Sequence, residues 1–302
     1  MAGVQTTDER AGVVPARPLA RETTPRRARF APGRRQWGIT ITLSAIVAVS
    51  LAPYLLMVFV SGKSRQQYEH TFWQPDWPIQ WSNYAVAWKQ IAPYMLTSVV
   101  VATVSIVGIV AISAVTGFVI SRYRFVGRNL FFALIAVLLM IPSISSLVPL
   151  FVMMRDFQLL NTIWVMIVPH VVGGAVIGTV LMRTFVDGIP QTIFDAARID
   201  GASAPRLFRS IMIPLSYPVM GSVALITINS VWNDFFWPLL TISDNRLRPI
   251  SVGLLFFSGQ NGTDYGPMFA GYLLSSLPLV VLFSFLSKYF LAGIQGGLPG
   301  SH

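Results

Sequence analysis

Asp195-Ala196-Ala197-Arg198-Ile199-Asp200-Gly201-Ala202, with Phe208, Ile211 and Pro214 behind it, is a polar turn set between two long apolar segments. Its residues predict two short helices that meet at a glycine. Pro190 suits the first turn of the first helix, where a missing N–H costs little. Gly201 can take the left-handed conformation that stops that helix. Ser203 is placed to cap the second helix, with Pro205 in its first turn. Phe208, Ile211 and Met212 fall at i, i+3 and i+4 and give this helix one apolar face, with Arg206 and Arg209 off it. The expected product is a compact knob beside a membrane. One side packs on a helical bundle and the other stays free.

The surrounding chain supplies the membrane. Of 302 residues 54% are hydrophobic and 11% charged, with a mean hydropathy of +0.62. A soluble domain carries about twice that charged fraction. No cysteine is present, which excludes disulfides and thiolate metal or redox sites. The net charge of +10 does not point to nucleic acid, because eight of the 22 basic residues lie in the first 35 positions, next to an apolar segment. Pooled basic residues beside such a segment mark a cytoplasmic flank.

Residues 1–37 form a basic tail without apolar periodicity and are expected to be disordered. Its Arg26, Arg27, Arg29, Arg34 and Arg35 would each be drawn to anionic headgroups by roughly 1 kcal/mol. Six apolar segments follow, at about 38–60, 93–120, 130–154, 162–182, 214–242 and 267–291. Each is near the ~20 residues a span requires. The first is too long for a signal-peptide core and lacks a small-residue cleavage site, so a retained anchor is expected. Assigning the tail, 121–129, the loop 183–213 and the tail 292–302 with the adjoining Lys288 to the cytoplasm puts 16 of the basic residues inside. Six remain in the outer loops 61–92, 155–161 and 243–266. That bias predicts a multi-pass protein with both termini cytoplasmic. Trp73, Trp77, Trp81 and Trp88 in the first outer loop read as interface anchors, with stacking on sugar rings as the alternative.

Few polar residues interrupt the spans. Asp234, in Trp232-Asn233-Asp234-Phe235-Phe236-Trp237-Pro238, is the one acid well inside a segment. Lipid exposure would cost it a few kcal/mol. It reads either as part of a polar translocation wall with Asn229 and Asn233, or as an acid paired within the bundle or turned to the outer surface. His170, after Pro169, reads as a hydrogen-bonded bundle residue, since the sequence shows it no acidic partner. Gly174 and Gly178 have the spacing of a close helix approach, within the chain or to a partner. Gly62-Lys63-Ser64 lacks the glycine five positions upstream that a phosphate-binding loop needs, Met57 standing there. Asn261-Gly262-Thr263 matches a glycosylation sequon, a short pattern that recurs by chance. No hydrolase motif is present either.

Asp195-Ala196-Ala197-x-x-Asp200-Gly201-Ala202, then Phe208 and Pro214, resembles the coupling loop of permease subunits in binding-protein-dependent ABC importers. Asp195 stands where that family usually has glutamate. Tyr123-Arg124-Phe125-x-Gly127-Arg128 and the Trp232–Leu239 segment resemble the shorter, six-span permease of maltose- or glycerol-phosphate-type importers. The resemblance covers about residues 38–297. It implies an all-α polytopic membrane protein with the type I importer permease fold, in a bacterial cell membrane. It implies that residues 195–202, with Phe208 and Pro214, seat on an ATPase subunit, Asp195 and Asp200 supplying polar contacts. Asp244, Arg246, Arg248 and Asp264 would face an extracytoplasmic solute-binding protein. Gly293-Ile294-Gln295-Gly296-Gly297 is similar to the family's glycine-rich tail, without its usual lysine. The implied partners are a second homologous permease, two ATPase domains, the binding protein, lipid and a sugar, with no nucleic acid. No cofactor is expected in this chain, ATP and Mg being held by the ATPases. The alternatives are a permease for a non-sugar solute and an ion-coupled secondary transporter, which would favour buried acids and inverted repeats.

Overall fold

One proline and a run of apolar β-branched residues do not stop Arg34–Ser61 from winding into one helix, α1, with Pro53 inside it. In a computed structural model of the chain, which describes Gly3, residues 34–262 and residues 264–296, all regular structure is helical. The arginines at 26, 27 and 29, Thr263 of the sequon and Gly297 of the glycine-rich tail lie outside the described residues. The helix begins at Arg34 and so takes in the last four residues of the stretch expected to be tail.

The chain divides into two units, Met1–Leu51 and Ala52–His302. In the first, the described part of α1 is apolar on every side, with Ile39, Ile41, Leu43, Ile46 and Val49 all exposed. A helix of that kind belongs in hydrocarbon. The second unit opens with α2 (Arg65–His70), closed by a capping box between Ser64 and Gln67. Its axis is α3 (Ser82–Arg122), 41 residues and so about 60 Å long, well beyond the hydrocarbon thickness. There follow α4 (Arg128–Leu138), α5 (Leu147–Asp156) and α6 (Trp164–Asp187). The knob comprises α7 (Gln191–Ile199), α8 (Ala204–Leu207), a π-helical stretch Phe208–Met212 and α9 (Ile213–Leu215). The chain ends with α10 (Tyr217–Asn233), α11 (Phe236–Thr241), α12 (Ile250–Gln260) and α13 (Tyr265–Gly296).

Among the described residues, four helical stretches are individually long and apolar enough to cross a membrane: Trp37–Ser61, Ser82–Arg122, Trp164–Asp187 and Tyr265–Phe285. The third apolar segment is not straight. Arg128–Leu138 and Ser143–Asp156 meet at 92°, at a break beside Pro142 that cannot continue a helical ladder. The fifth breaks twice, by 72° between Ala204–Leu215 and Tyr217–Asn233, and again at Asp234-Phe235.

The connection 243–266, expected to be an outer loop, is also more than a loop. Its middle is α12, too short for a span yet apolar, with Ile250, Val252 and Phe257 buried. Ser98 on α3 accepts the Ile250 N–H at 2.8 Å. The glycine pair Gly174 and Gly178 works within the chain: an added β-carbon would lie 2.4 Å from Ile109 and 2.2 Å from Ser113 on α3. That close seam ties α6 to α3 along much of the core.

Candidate functional site

The knob is held from below by one cation and three aromatic rings. Phe194 of α7 is fully buried and lies 6.2 Å from Phe118 of α3, which also meets Phe208 at 5.5 Å. Arg122, the last residue of α3, stacks over the Phe194 ring at 4.3 Å. Its guanidinium donates to the carbonyls of Val186 and Ile189 and, at 2.7 Å, to Gln191 Oε1. Those carbonyls belong to the C-terminal end of α6 and the turn after it, where backbone acceptors lack helical partners. Arg122 therefore ties three elements at one point. The fork of donors suits this better than an ammonium would.

Gly201 performs as its type predicts. Its φ is +81°, Ala202 N–H bonds Ala197 O at 2.9 Å and Gly201 N–H bonds Arg198 O at 3.0 Å. This pairing is a Schellman stop. Ser203 sits at the next N-terminus but makes no side-chain cap, which corrects the expected capping role. The phasing of the second helix also differs. Pro214 has no N–H for the carbonyl of Ser210, and the ladder widens to a π turn just before it. In that wider turn Leu207 and Met212, five apart, are the buried pair, while Phe208 and Ile211 are half-buried.

The upper face of α7 carries Asp195, Ala196, Ile199 and Asp200, all exposed. Asp195 accepts from Gln191 and Arg198, both at 3.0 Å, so it is held by its own helix. Ile199 is 87% exposed, an apolar side chain at the tip with nothing of this chain against it. Sequence reasoning passed over it, and over Arg122, because neither stands out until the helices are in place.

A second polar centre forms at the break after α10. His170 Nε2 lies 3.1 Å from Asp234 Oδ2, with both side chains mostly buried. This overturns the reading of His170 as lacking an acidic partner: 64 residues of chain separate two groups that the α6–α10 packing brings together. Asp234 ends α10, its Oδ1 accepts weakly from Trp237 N–H at 3.4 Å, and its carbonyl accepts from Ser251 at 2.6 Å. The Trp237 indole donates to Val165 O on α6 at 2.7 Å. Asn229 and Asn233 instead face outward, bonded to each other at 3.1 Å, with Ser230 exposed beside them.

The four residues assigned to the outer docking face are treated unequally. Asp244 and Arg246 are exposed, and the turn that bears them is pinned by Asn161, which accepts the Asp244 N–H at 2.8 Å. Arg248 turns inward, stacking over Phe256 at 3.7 Å and donating to Asn245 at 2.9 Å. Asp264, also exposed, precedes α13. Lys63 is buried and donates to the carbonyls of Thr71 and Phe72, which leaves its ammonium engaged with backbone rather than free for a phosphate. No group of three or more His, Cys, Asp or Glu side chains suited to a metal occurs among the described residues.

Residues 110–295, which run from mid-α3 to the end of α13 and include the knob and the break, match the family described as binding-protein-dependent transport system inner membrane component. The chain belongs to this family. The permease subunit is 31% identical over 276 residues to the probable ABC transporter permease protein YurM of Bacillus subtilis, covering 87% of this chain and 90% of that one. It is 30% identical over 272 residues to the arabinooligosaccharides transport system permease protein AraQ of Halalkalibacterium halodurans, at 87% and 96% coverage. Its fold matches a chain from the crystal structure of a bacterial ABC transporter involved in the import of the acidic polysaccharide alginate, with a TM-score of 0.74. That match has 22% identity and covers 86% of this chain and 99% of the other.

Proposed function

We propose that this permease moves a sugar or sugar derivative into the cytoplasm, driven by separate ATPase subunits that seat on α7. The observation that carries the reading is the two-sidedness of the knob. Its underside is locked to α3 and α6 through Phe194 and Arg122, while its top presents Ile199 and two acids to a partner. A force applied to that face is delivered to the base of the two most closely packed helices. The termini lie in the cytoplasm in this reading, ATP and Mg belong to the ATPases, and residues 38–291 make six spans, each bent pair counting once.

Asn229, Ser230 and Asn233 form an exposed polar stripe along one side of α10. Facing lipid, such groups would be costly, so a second permease or a water-filled path covers them. A path between two permeases with amide and hydroxyl groups on its wall suits a hydroxyl-rich solute. The relatives named for arabinooligosaccharides and for melibiose, raffinose and stachyose favour a neutral oligosaccharide. Asp244, Arg246 and Asp264 remain available to a solute-binding protein, and Arg248 serves that surface by holding its shape.

The test is uptake by proteoliposomes holding the permease with its partner permease, ATPases and binding protein. ATP-dependent uptake of a labelled neutral oligosaccharide is expected. Transport by this chain as a homo-oligomer without any ATPase, or ATP-driven uptake of non-sugar solutes alone, would overturn the reading.

A further inference from the structure

The first outer connection folds into a cap whose order exceeds what anchoring in headgroups requires. Ser61 Oγ and Tyr84 OH share a 2.6 Å hydrogen bond, and Asn83 donates to the carbonyls of Ser61 and Lys63 at 2.9 and 2.8 Å. Gln80 N–H reaches Gly62 O at 2.8 Å. Thr71, whose carbonyl Lys63 holds, donates its hydroxyl to Asp76 at 2.8 Å, and Asp76 also accepts the Trp77 N–H at 2.8 Å. The network fixes a carboxylate and two indoles around a cavity of about 270 Å3, lined by Asp76, Trp77, Ile79, Trp81 and Tyr84 above the end of α1. Trp73 and Trp88 do not line it and keep the role of interface anchors.

We infer that this cavity is a saccharide subsite at the outer mouth of the permease, taking one ring of a neutral oligosaccharide. The inference rests on the carbohydrate reading above and adds a place and a charge preference to it. Indole and phenol faces pack against the apolar C–H faces of a pyranose or furanose, while a carboxylate accepts its hydroxyls. The cavity holds one acid and no free cation, Lys63 being spent on Thr71 and Phe72 carbonyls. A uronate would meet Asp76 with like charge, so acidic sugars are excluded. At the low end of ligand-site volumes, the space accepts a single ring with the rest of the chain outside.

The experiment is saturation-transfer NMR on the assembled importer in nanodiscs, without binding protein. The probes are maltotetraose, raffinose, arabinotetraose, a triuronate and glycerophosphocholine. Trp77 and Trp81 are 76% and 70% exposed, so truncating either removes little packing. The expected result is transfer to at least one neutral oligosaccharide, about tenfold weaker binding in Trp77→Ala and in Trp81→Ala, and retention in Trp81→Phe. Equal transfer in wild type and both alanine variants would overturn the subsite. So would no transfer at all, transfer to the triuronate alone, or competition by glycerophosphocholine that marks a lipid site. The same particles are then given binding protein and ATP. Sugar uptake without saturation transfer removes the subsite and leaves the importer reading, whereas absence of any sugar uptake removes that reading itself.

Discussion

Two polar excursions from the bundle, the knob at 191–215 and the cap at 61–82, are built on opposite plans. The knob rests on apolar contacts and on one residue, Arg122, while its upper side chains bond within their own helix. The cap is knitted by side chains reaching backbone across turns, with a buried lysine in its middle. A piece held at one edge can move as a unit and present a face. A piece cross-linked throughout keeps a fixed shape. The difference suits the first to the force transfer proposed for it and the second to the proposed recognition.

The contrast can be broken most decisively at Gly201. Gly201→Asp puts a side chain at φ +81°, which costs about 1–2 kcal/mol, and adds charge to the docking face. There is open space for the new β-carbon, so the loss comes from backbone and docking rather than from a clash. Uptake should fall to background and ATPase co-purification should weaken while the permease still inserts. Unchanged uptake would show that α7 carries no force.

Arg122→Ala leaves two carbonyls and Gln191 without their donor and should cost on the order of 2–3 kcal/mol. Thermal unfolding of the purified complex should drop, with Arg122→Lys restoring little because an ammonium cannot span the three acceptors. A lysine variant as stable as wild type would mean the knob is not pinned through this fork.

His170→Ala strips Asp234 of its partner at the α10 break and should lower stability by roughly 1–3 kcal/mol. His170→Gln, which keeps a donor, should recover part of it. Equal melting of both variants with wild type would remove the pair from any role in holding the break.

The smallest effect tests the cap. Burial holds the Lys63 ammonium below lysine's usual 10.5, with the nearby Asp76 acting in the opposite sense. The unfolded chain then binds that proton more tightly, so the contribution to stability rises as pH climbs through the interval below 10.5. Melting of wild type measured from neutral pH to pH about 10 should include an increment that Lys63→Met lacks. Identical pH profiles would show that the ammonium is not confined in the cap.

The knob was legible because its signals are local. A proline, a glycine stop and an apolar face all act within one or two turns, and Gly201 behaves as its position predicts. Reading failed where the ladder changed period, since Pro214 imposes a π turn that the i, i+3, i+4 rule does not contain. It failed again at α12, an 11-residue apolar helix too short to register as a span and flanked by polar turns.

By itself, the sequence determined the membrane class, the helical content, the position of the polar turn at 195–202 and the basic bias from which an orientation is proposed. Those follow from composition and from periods of a few residues. Only the tertiary structure decided that His170 meets Asp234, that Arg122 anchors the knob and that Trp77 and Trp81 face one cavity. Such pairings arise when whole helices pack or a loop closes its hydrogen bonds, and no short-range pattern encodes which distant side chains then meet.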